Sequence, residues 1–365
     1  MVNRKTKWKI IFIAPATSQP RYHKRVVQFL KFCDVEVFAF TRGLYEENTF
    51  PPEISLTLLG KVNPRKYFQR IFKLIPAIFK IRKHLKGKKN HLFYALSFDC
   101  MLLARLSGIR HGFYEVSDLR QTEGVGKVAL IFEKFMFRDI FGLVLTSRFF
   151  YEDFYKKKRF IPTEKVFIIE NKVNPILVNK RPNSKNFSQK RMKIGLIGSL
   201  RYKKSTELLL NFVQKRPKSY VIECFGDGPL RWLVESYVCE NIRYYGSFKN
   251  PEELPNIYSR IDLNYVVYDN HFLNVRLLTP NKLYESGYFG VPIVCCDGTS
   301  VGREVVKWNI GKMIRIQNPE LFEKDLSSID RVWLQQCSEN CFKLPSADLL
   351  DDGEKIIKTM LMDFI

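Results

Sequence analysis

Short apolar runs alternate with amphipathic stretches along the whole chain. "KIIFIA" (9–14) is a nearly unbroken apolar run, and "RYHKRVVQFLKF" (21–32) after it carries helical spacing. "VEVFAF" follows, then "HLFYAL", "HGFYEV" and "GLVLTS", each before a helical pattern, and "EKVFIIEN" closes the series. The stretch "KVNPILVNKRPNSKNFSQKR" loses periodicity and gathers Asn, Pro, Ser and Lys. A second series then starts with "MKIGLIGS" and runs through "SYVIECFG", "NIRYYGS", "DLNYVVY", "VPIVCC" and "GKMIRI". Strands that alternate with helices predict parallel sheets covered by helices. The expected architecture is α/β, with two Rossmann-like doubly wound domains facing a central cleft. The expected boundaries are an N-terminal domain over 1–172, a linker over 173–190 and a C-terminal domain over 191–345. A last helix within 346–365 packs back toward the N-terminal domain. Ligands of such sheets bind beyond the carboxyl ends of the strands.

Several loops at those ends have chemistry. In "IGLIGSLRYKKSTELLL", Gly198 allows close backbone approach, and Arg201, Lys203 and Lys204 follow where a helix N-terminus favours an anion. "CFGDGPLRW" and "YYGSFKNP" are further glycine turns, and neither the P-loop pattern nor GxGxxG is present. In "LLTPNKLYESGYFGVPIVC" (277–295), Thr279 is the expected N-cap, with Pro280 at the first helical position and a strand from Val291 to Cys296. Glu285 is a lone carboxylate in this apolar segment, one turn from Asn281.

The formal net charge of +23 over 365 residues adds a partner class: nucleic acid, an acidic membrane surface or phosphorylated small molecules. There is no zinc-finger spacing, RNP-like aromatic motif or basic zipper, so nucleic acid is not the expected partner. The basic excess concentrates in residues 61–89, which hold eleven Lys or Arg, and no carboxylate occurs from Ile54 to Phe98. Lys66, Arg70, Lys73 and Lys80 form one stripe of an amphipathic pattern there, and Phe68, Ile71, Phe72, Ile75, Ile78 and Phe79 the other, with a kink at Pro76. That pattern suits an anionic membrane surface, or a core helix with a solvated basic face. The eight Cys have no metal or CxxC spacing and read as reduced thiols. The run Ile10 to Ala14 is too short for a signal peptide, and no stretch is long enough to span a membrane, so a cytoplasmic, membrane-peripheral location is expected.

"IGSLRYKKS", "FGDGP", "YYGSF", "IYSRIDLNYVVY" and "TPNKLYESGYFGVPIV" resemble, in order and spacing, the large retaining GT-B glycosyltransferase family (group 1) that includes many capsule, exopolysaccharide and lipopolysaccharide sugar transferases. The first half resembles it more loosely, in "PRYHKRVVQFLK", "FYEVSDLRQ" and "KVFIIENKVN". The resemblance implies that a nucleoside diphosphate sugar is the donor and a glycan or lipid-linked acceptor the partner. It implies that Glu285 accepts hydrogen bonds from the ribose diol, that Lys204 and Arg201 reach the pyrophosphate, and that Gly246, Ser247 and Phe248 touch the base. Gly198, Ser199, Thr279, Pro280, Asn281 and Lys282 complete the expected donor site. Glu115 and Asp118 are the candidates for acceptor activation, with helix capping or a structural ion pair as the alternative. Arg21 and His23 are candidates for the acceptor side, or belong to a solvated loop. No DxD motif is present, so neither a metal nor another cofactor is expected. Leu277 stands where the family carries a first, sugar-contacting glutamate, and Ser199 where it carries an arginine. A sugar-nucleotide epimerase, a phosphorylase or a non-catalytic scaffold of the same fold remain alternatives.

Overall fold

The computed structural model describes residues 8–41, 50–52, 54–62, 67–119, 126–187 and 190–362, with backbone alone at 67–73 and 126–129. Its contacts divide the chain into unit 1, Met1–Glu170 with Asp352–Ile365, and unit 2, Asn171–Asp351.

Unit 1 holds a parallel sheet of β1 (Lys9–Ala14), β2 (Asp34–Thr41), β3 (Ser55–Lys61), β4 (His91–Ala95), β5 (Gly112–Val116), β6 (Gly142–Leu145) and β7 (Val166–Ile168). The order is β3-β2-β1-β4-β5-β6-β7. The central strands are apolar because helices cover both faces: Ile10, Phe12, Leu92 and Phe93 are fully buried. Helices α1 (Pro20–Leu30), α2 (Tyr67–Leu85), α3 (Phe98–Leu106) and α4 (Gly126–Met136) connect the strands. Right-handed crossovers put α1 on one face and α2, α3 and α4 on the other. The C-terminal helix Gly353–Met360 packs on α1, where Lys31 Nζ donates to Glu354 Oε2 at 2.6 Å. β3 has no counterpart among the strands expected from the sequence. It is an edge strand, mostly exposed, and lacks their apolar run.

Unit 2 holds a second parallel sheet, in the order β10-β9-β8-β11-β12-β13. Its strands are β8 (Met192–Ile197), β9 (Tyr220–Phe225), β10 (Ile242–Tyr244), β11 (Leu263–Val266), β12 (Ile293–Cys296) and β13 (Gly311–Ile314). The helices that matter for its site are α5 (Lys203–Gln214), α6 (Leu254–Arg260), α7 (Leu273–Leu277), α8 (Asn281–Phe289) and α9 (Ser300–Lys307). The stretch expected to be a linker contributes side chains to this unit: Leu177 and Phe187 are buried in its core. Two local expectations are corrected. Pro280, not Thr279, occupies the N-cap position of α8, and β12 begins at Ile293 instead of Val291. The turn before β12 needs Gly290, in the left-handed region at φ 70°, and Pro292, which donates no ladder hydrogen bond. None of the eight cysteines forms a disulfide.

Candidate functional site at the carboxyl end of the second sheet

In both sheets the strand order reverses beside the first strand, and in unit 2 this switch point lies between β8 and β11. The turn after β8 is built around Gly198, with φ 96°. Its N–H donates to Phe225 O at 2.7 Å, and a Cβ placed there would lie 2.8 Å from Lys282 Nζ. Gly198 therefore makes room for a lysine ammonium that arrives from α8. Gly226 serves a different purpose: a Cβ on it would fall 1.9 Å from Gly198 O, so it lets two loop backbones touch. Its own N–H donates to Gly246 O at 2.7 Å. The three glycine turns thus form one continuous rim, joined backbone to backbone.

Lys282 is half-buried and makes no hydrogen bond among the described residues. Burial holds its ammonium below the usual lysine range, against the opposing pull of Glu285, and Arg201 adds to the lowering. A confined cation of this kind gains when an anion enters. Arg201 is exposed, with Nε donating to Ser199 Oγ at 3.1 Å. Lys204 is exposed as well. It lies near Cys296, whose thiol burial pushes up to about 12 while Lys204 opposes the shift. Lys203 pairs with Glu207 at 3.7 Å on the helix surface. At the N-terminus of α5 one N–H is already engaged: Ser205 N–H donates to Asp269 Oδ1 at 3.0 Å. Tyr202, just before α5, stacks on Tyr268 at 4.4 Å, which braces the loop that carries Arg201.

Glu285 is buried. Tyr258 Oη donates to its Oε2 at 2.7 Å and Asn281 Nδ2 to its Oε1 at 2.5 Å. Asn264 in turn donates to Tyr258 Oη at 3.2 Å and to Ser286 Oγ at 2.8 Å. Burial and the Glu285 charge push the Tyr258 hydroxyl well above its ordinary range, so it stays a donor. The one-turn spacing of Asn281 and Glu285 is thus a direct hydrogen bond. Each carboxylate oxygen retains a second lone pair for a further donor. Truncation of Glu285 would also strand the buried Tyr258 hydroxyl, so its cost includes stability.

Gly246, Ser247 and Phe248 follow β10, with Ser247 exposed and Phe248 packed against the unit 2 core. Beside them Tyr245 stacks on Phe225 at 4.6 Å, and the Arg260 guanidinium lies 4.3 Å from the Tyr245 ring. A second concavity, a cavity of about 340 Å3, is lined by Leu273, Leu277, Arg276, Ser300, Arg303 and Met313 among others. Leu277 is therefore a wall of a cavity whose charged members include two arginines.

The unit 1 candidates separate into a closed pair and an open one. Glu115 is 2% exposed; it accepts from Arg25 Nε at 2.9 Å and from Tyr94 Oη at 2.5 Å. A carboxylate so enclosed and neutralised is a structural ion-pair partner, which removes it from the candidates for acceptor activation. Asp118 is half-buried near Arg21. Burial opposes the Arg21 charge, but Tyr22, Asp118 and Glu115 outweigh it and raise its basicity. Arg21 Nε is buried with no hydrogen-bond partner. His23 lies half-buried one position beyond Tyr22 on α1.

Sequence reasoning missed Tyr258, the approach of Lys282 to Gly198, and the contact of Asp269 with the start of α5. Only the aromatic "IYSRIDLNYVVY" pattern carried any signal for the first.

No family model and no curated protein matches the chain. Solved structures do. A sucrose-phosphate synthase from Thermosynechococcus elongatus aligns with TM-score 0.69 at 13% identity, over 98% of both chains. Anabaena HepE in complex with UDP gives 0.68 at 12%, over 97% of this chain and 100% of that one. The lipopolysaccharide outer core galactosyltransferase WaaB, in its apo form, gives 0.66 at 13%, over 98% and 100%. The fold is GT-B. The GT-B architecture explains why the glycine rim, Lys282 and Glu285 gather at one strand end: that is where a doubly wound sheet opens to ligands.

Proposed function

We propose that this protein is a glycosyltransferase that moves a sugar from a nucleoside diphosphate donor to a glycan or lipid-linked acceptor. The observation that carries the reading is Lys282: a half-buried ammonium, without a hydrogen bond among the described residues, set against the Gly198 turn and beside Glu285. HepE, similar in fold, was solved with UDP. In the proposed complex Lys282, Arg201 and Lys204 neutralise the pyrophosphate. Ser199 positions Arg201, and Glu285 accepts from the ribose diol while Tyr258 and Asn281 hold it. Gly246, Ser247 and Phe248 flank the base. Thr279 and Pro280 set the start of α8, which carries Asn281 and Lys282.

The leaving group is a nucleoside diphosphate, so the rate depends on stabilising charge as the glycosyl–oxygen bond breaks. Fixed cations at a half-buried site can supply this without a metal. Acceptor contacts are assigned to Arg21, His23 and Asp118 of unit 1. We read the enzyme as retaining and as serving bacterial surface polysaccharide synthesis at the inner face of the membrane. The family resemblance of the "TPNKLYE" segment supports both points. Residues 61–89 supply basic charge toward anionic lipid; Lys66 lies outside the described residues, as do the side chains of Arg70 and Lys73, while Lys80 donates to Leu58 O at 2.8 Å.

A panel of nucleoside diphosphates and nucleotide sugars tests the reading by thermal shift. A ligand at 100 times its Kd stabilises the folded state by about 2.7 kcal/mol, a rise of roughly 5–10 °C for a unit of this size. Incubation of the stabilising nucleotide sugar with acceptor glycans then separates transfer from epimerisation. No stabilisation by any of them would refute the donor site.

A further inference from the structure

Helix α4 is turned inside out relative to its composition. Its glutamate, Glu133, is fully buried, and Tyr155 Oη donates to Glu133 Oε1 at 3.1 Å. The Tyr114 hydroxyl, pushed well up by burial and by Glu133, faces the same carboxylate. The large apolar side chains of the helix point the other way: Ile131 is 60% exposed, Phe132 59% and Phe135 61%. With a carboxylate held inward by two tyrosines, the outward apolar face is set by the fold. Three adjacent large side chains in solvent mark a contact surface.

The surroundings of that patch are cationic. Lys134 Nζ lies 5.8 Å from the Phe160 ring, which brings the exposed run Lys156, Lys157, Lys158 and Arg159 beside α4. Arg138 follows α4 and is exposed too. Of the nearby acids, Asp153 pairs with Lys157 at 3.5 Å, Asp139 pairs with Arg105 and Glu152 is exposed, and they are outnumbered by Lys134, Arg138, Lys156, Lys158 and Arg159. Helix α2 lies on the same face of the sheet, and it too turns apolar side chains outward, Ile75 and Phe79, beside exposed Lys80 and Lys83. Aromatic and aliphatic side chains ringed by Lys and Arg match the interface of an anionic bilayer. The apolar groups enter the headgroup–acyl boundary, and the cations meet lipid phosphates.

We propose that the outward face of α4, centred on Ile131, Phe132 and Phe135 and flanked by the 156–159 cations, docks on an anionic lipid surface. This surface lies outside the 61–89 stretch and adds an apolar contact to its charge. The proposal shares only its choice of partner with the reading of function above, and donor binding is scored separately.

The test is co-sedimentation of the full chain with phosphatidylglycerol-containing vesicles and with pure phosphatidylcholine vesicles. Three proteins are compared: wild type, Ile131→Ser/Phe132→Ser/Phe135→Ser, and Lys156→Gln/Lys157→Gln/Lys158→Gln/Arg159→Gln. Wild type should partition onto anionic vesicles at least tenfold better than onto neutral ones, and each variant should lose at least tenfold. The substituted side chains are exposed, so melting temperature should hold; binding of UDP, GDP or ADP reports on unit 2 independently. Absence of wild-type binding, equal binding to both vesicle types, or unchanged partition of the serine variant would overturn the proposal. So would a soluble wild-type dimer that the serine variant dissolves, since the patch would then be a self-association surface. Failure of UDP, GDP and ADP alike to bind any of the three proteins would count against the donor site and leave the vesicle result standing.

Discussion

Two buried carboxylates, one in each unit, are handled in opposite ways. In unit 1, Glu115 is met by the Arg25 guanidinium, so the charge is cancelled inside the protein. In unit 2, Glu285 is met by two neutral donors, Tyr258 and Asn281, and the neighbouring cation Lys282 makes no hydrogen bond among the described residues. Glu115 is on strand β5 and Glu285 on helix α8, in units whose sheets have a similar strand order. The proposed donor site rests on this contrast: neutral donors hold the Glu285 carboxylate, with an ammonium beside it that makes no hydrogen bond among the described residues. A pair that is closed on itself stabilises a fold; an ammonium kept beside a carboxylate that neutral groups orient can accept a phosphate without first breaking a salt bridge.

Substitution in unit 1 strikes this contrast hardest. Glu115→Ala strands the buried Arg25 guanidinium and should destabilise the protein by about 3–5 kcal/mol, read as a lower denaturant midpoint. If stability is unchanged, the pair is not closed and Glu115 returns as a catalytic candidate. In unit 2, Lys282→Ala should leave the denaturation midpoint nearly unchanged, yet lower kcat/KM by about 10²-fold or more, as loss of one stabiliser of developing charge does. Steady-state kinetics within twofold of wild type would make Lys282 a bystander.

Glu285→Gln comes next in size. It keeps the shape and an acceptor oxygen but removes the charge, so nucleotide-sugar affinity should fall about tenfold, within the range of a hydrogen bond to a charged group. Titration calorimetry checks it, and an unchanged affinity removes the ribose role. EDTA should do least. Cations of the protein are assigned to the pyrophosphate, so activity should stay within about twofold after chelation, the protein's own charges having supplied the stabilisation; abolition would contradict the metal-free account.

Much of the fold was legible because buried parallel strands are written as apolar runs: "KIIFIA", "SYVIECFG" and "VPIVCC" all fall on strands. β3 was not, since an exposed edge strand such as Ser55–Lys61 has no core to impose a pattern. The segment after Val173 reads as a linker because it joins the core through isolated anchors, Leu177 and Phe187, without a period. At the site, local signals showed Gly198, Glu285 and its neighbour Asn281 one turn away, but not Tyr258 or the approach of Lys282 to Gly198. Tyr258 and Glu285 are 27 positions apart, and Gly198 and Lys282 still farther, so their meeting belongs to the tertiary fold. The α4 face was hidden for the same reason, because only packing shows that Glu133 turns in.

The donor site itself is decided by calorimetric titration of UDP, GDP and ADP, and of the corresponding glucose donors, into wild type and Lys282→Ala. One nucleoside diphosphate series should bind wild type with a single site and bind Lys282→Ala at least tenfold more weakly, at matched folding stability. Equal affinity in both proteins, or no binding by any series, would contradict the claim that the Gly198–Lys282–Glu285 corner is a nucleotide-sugar site.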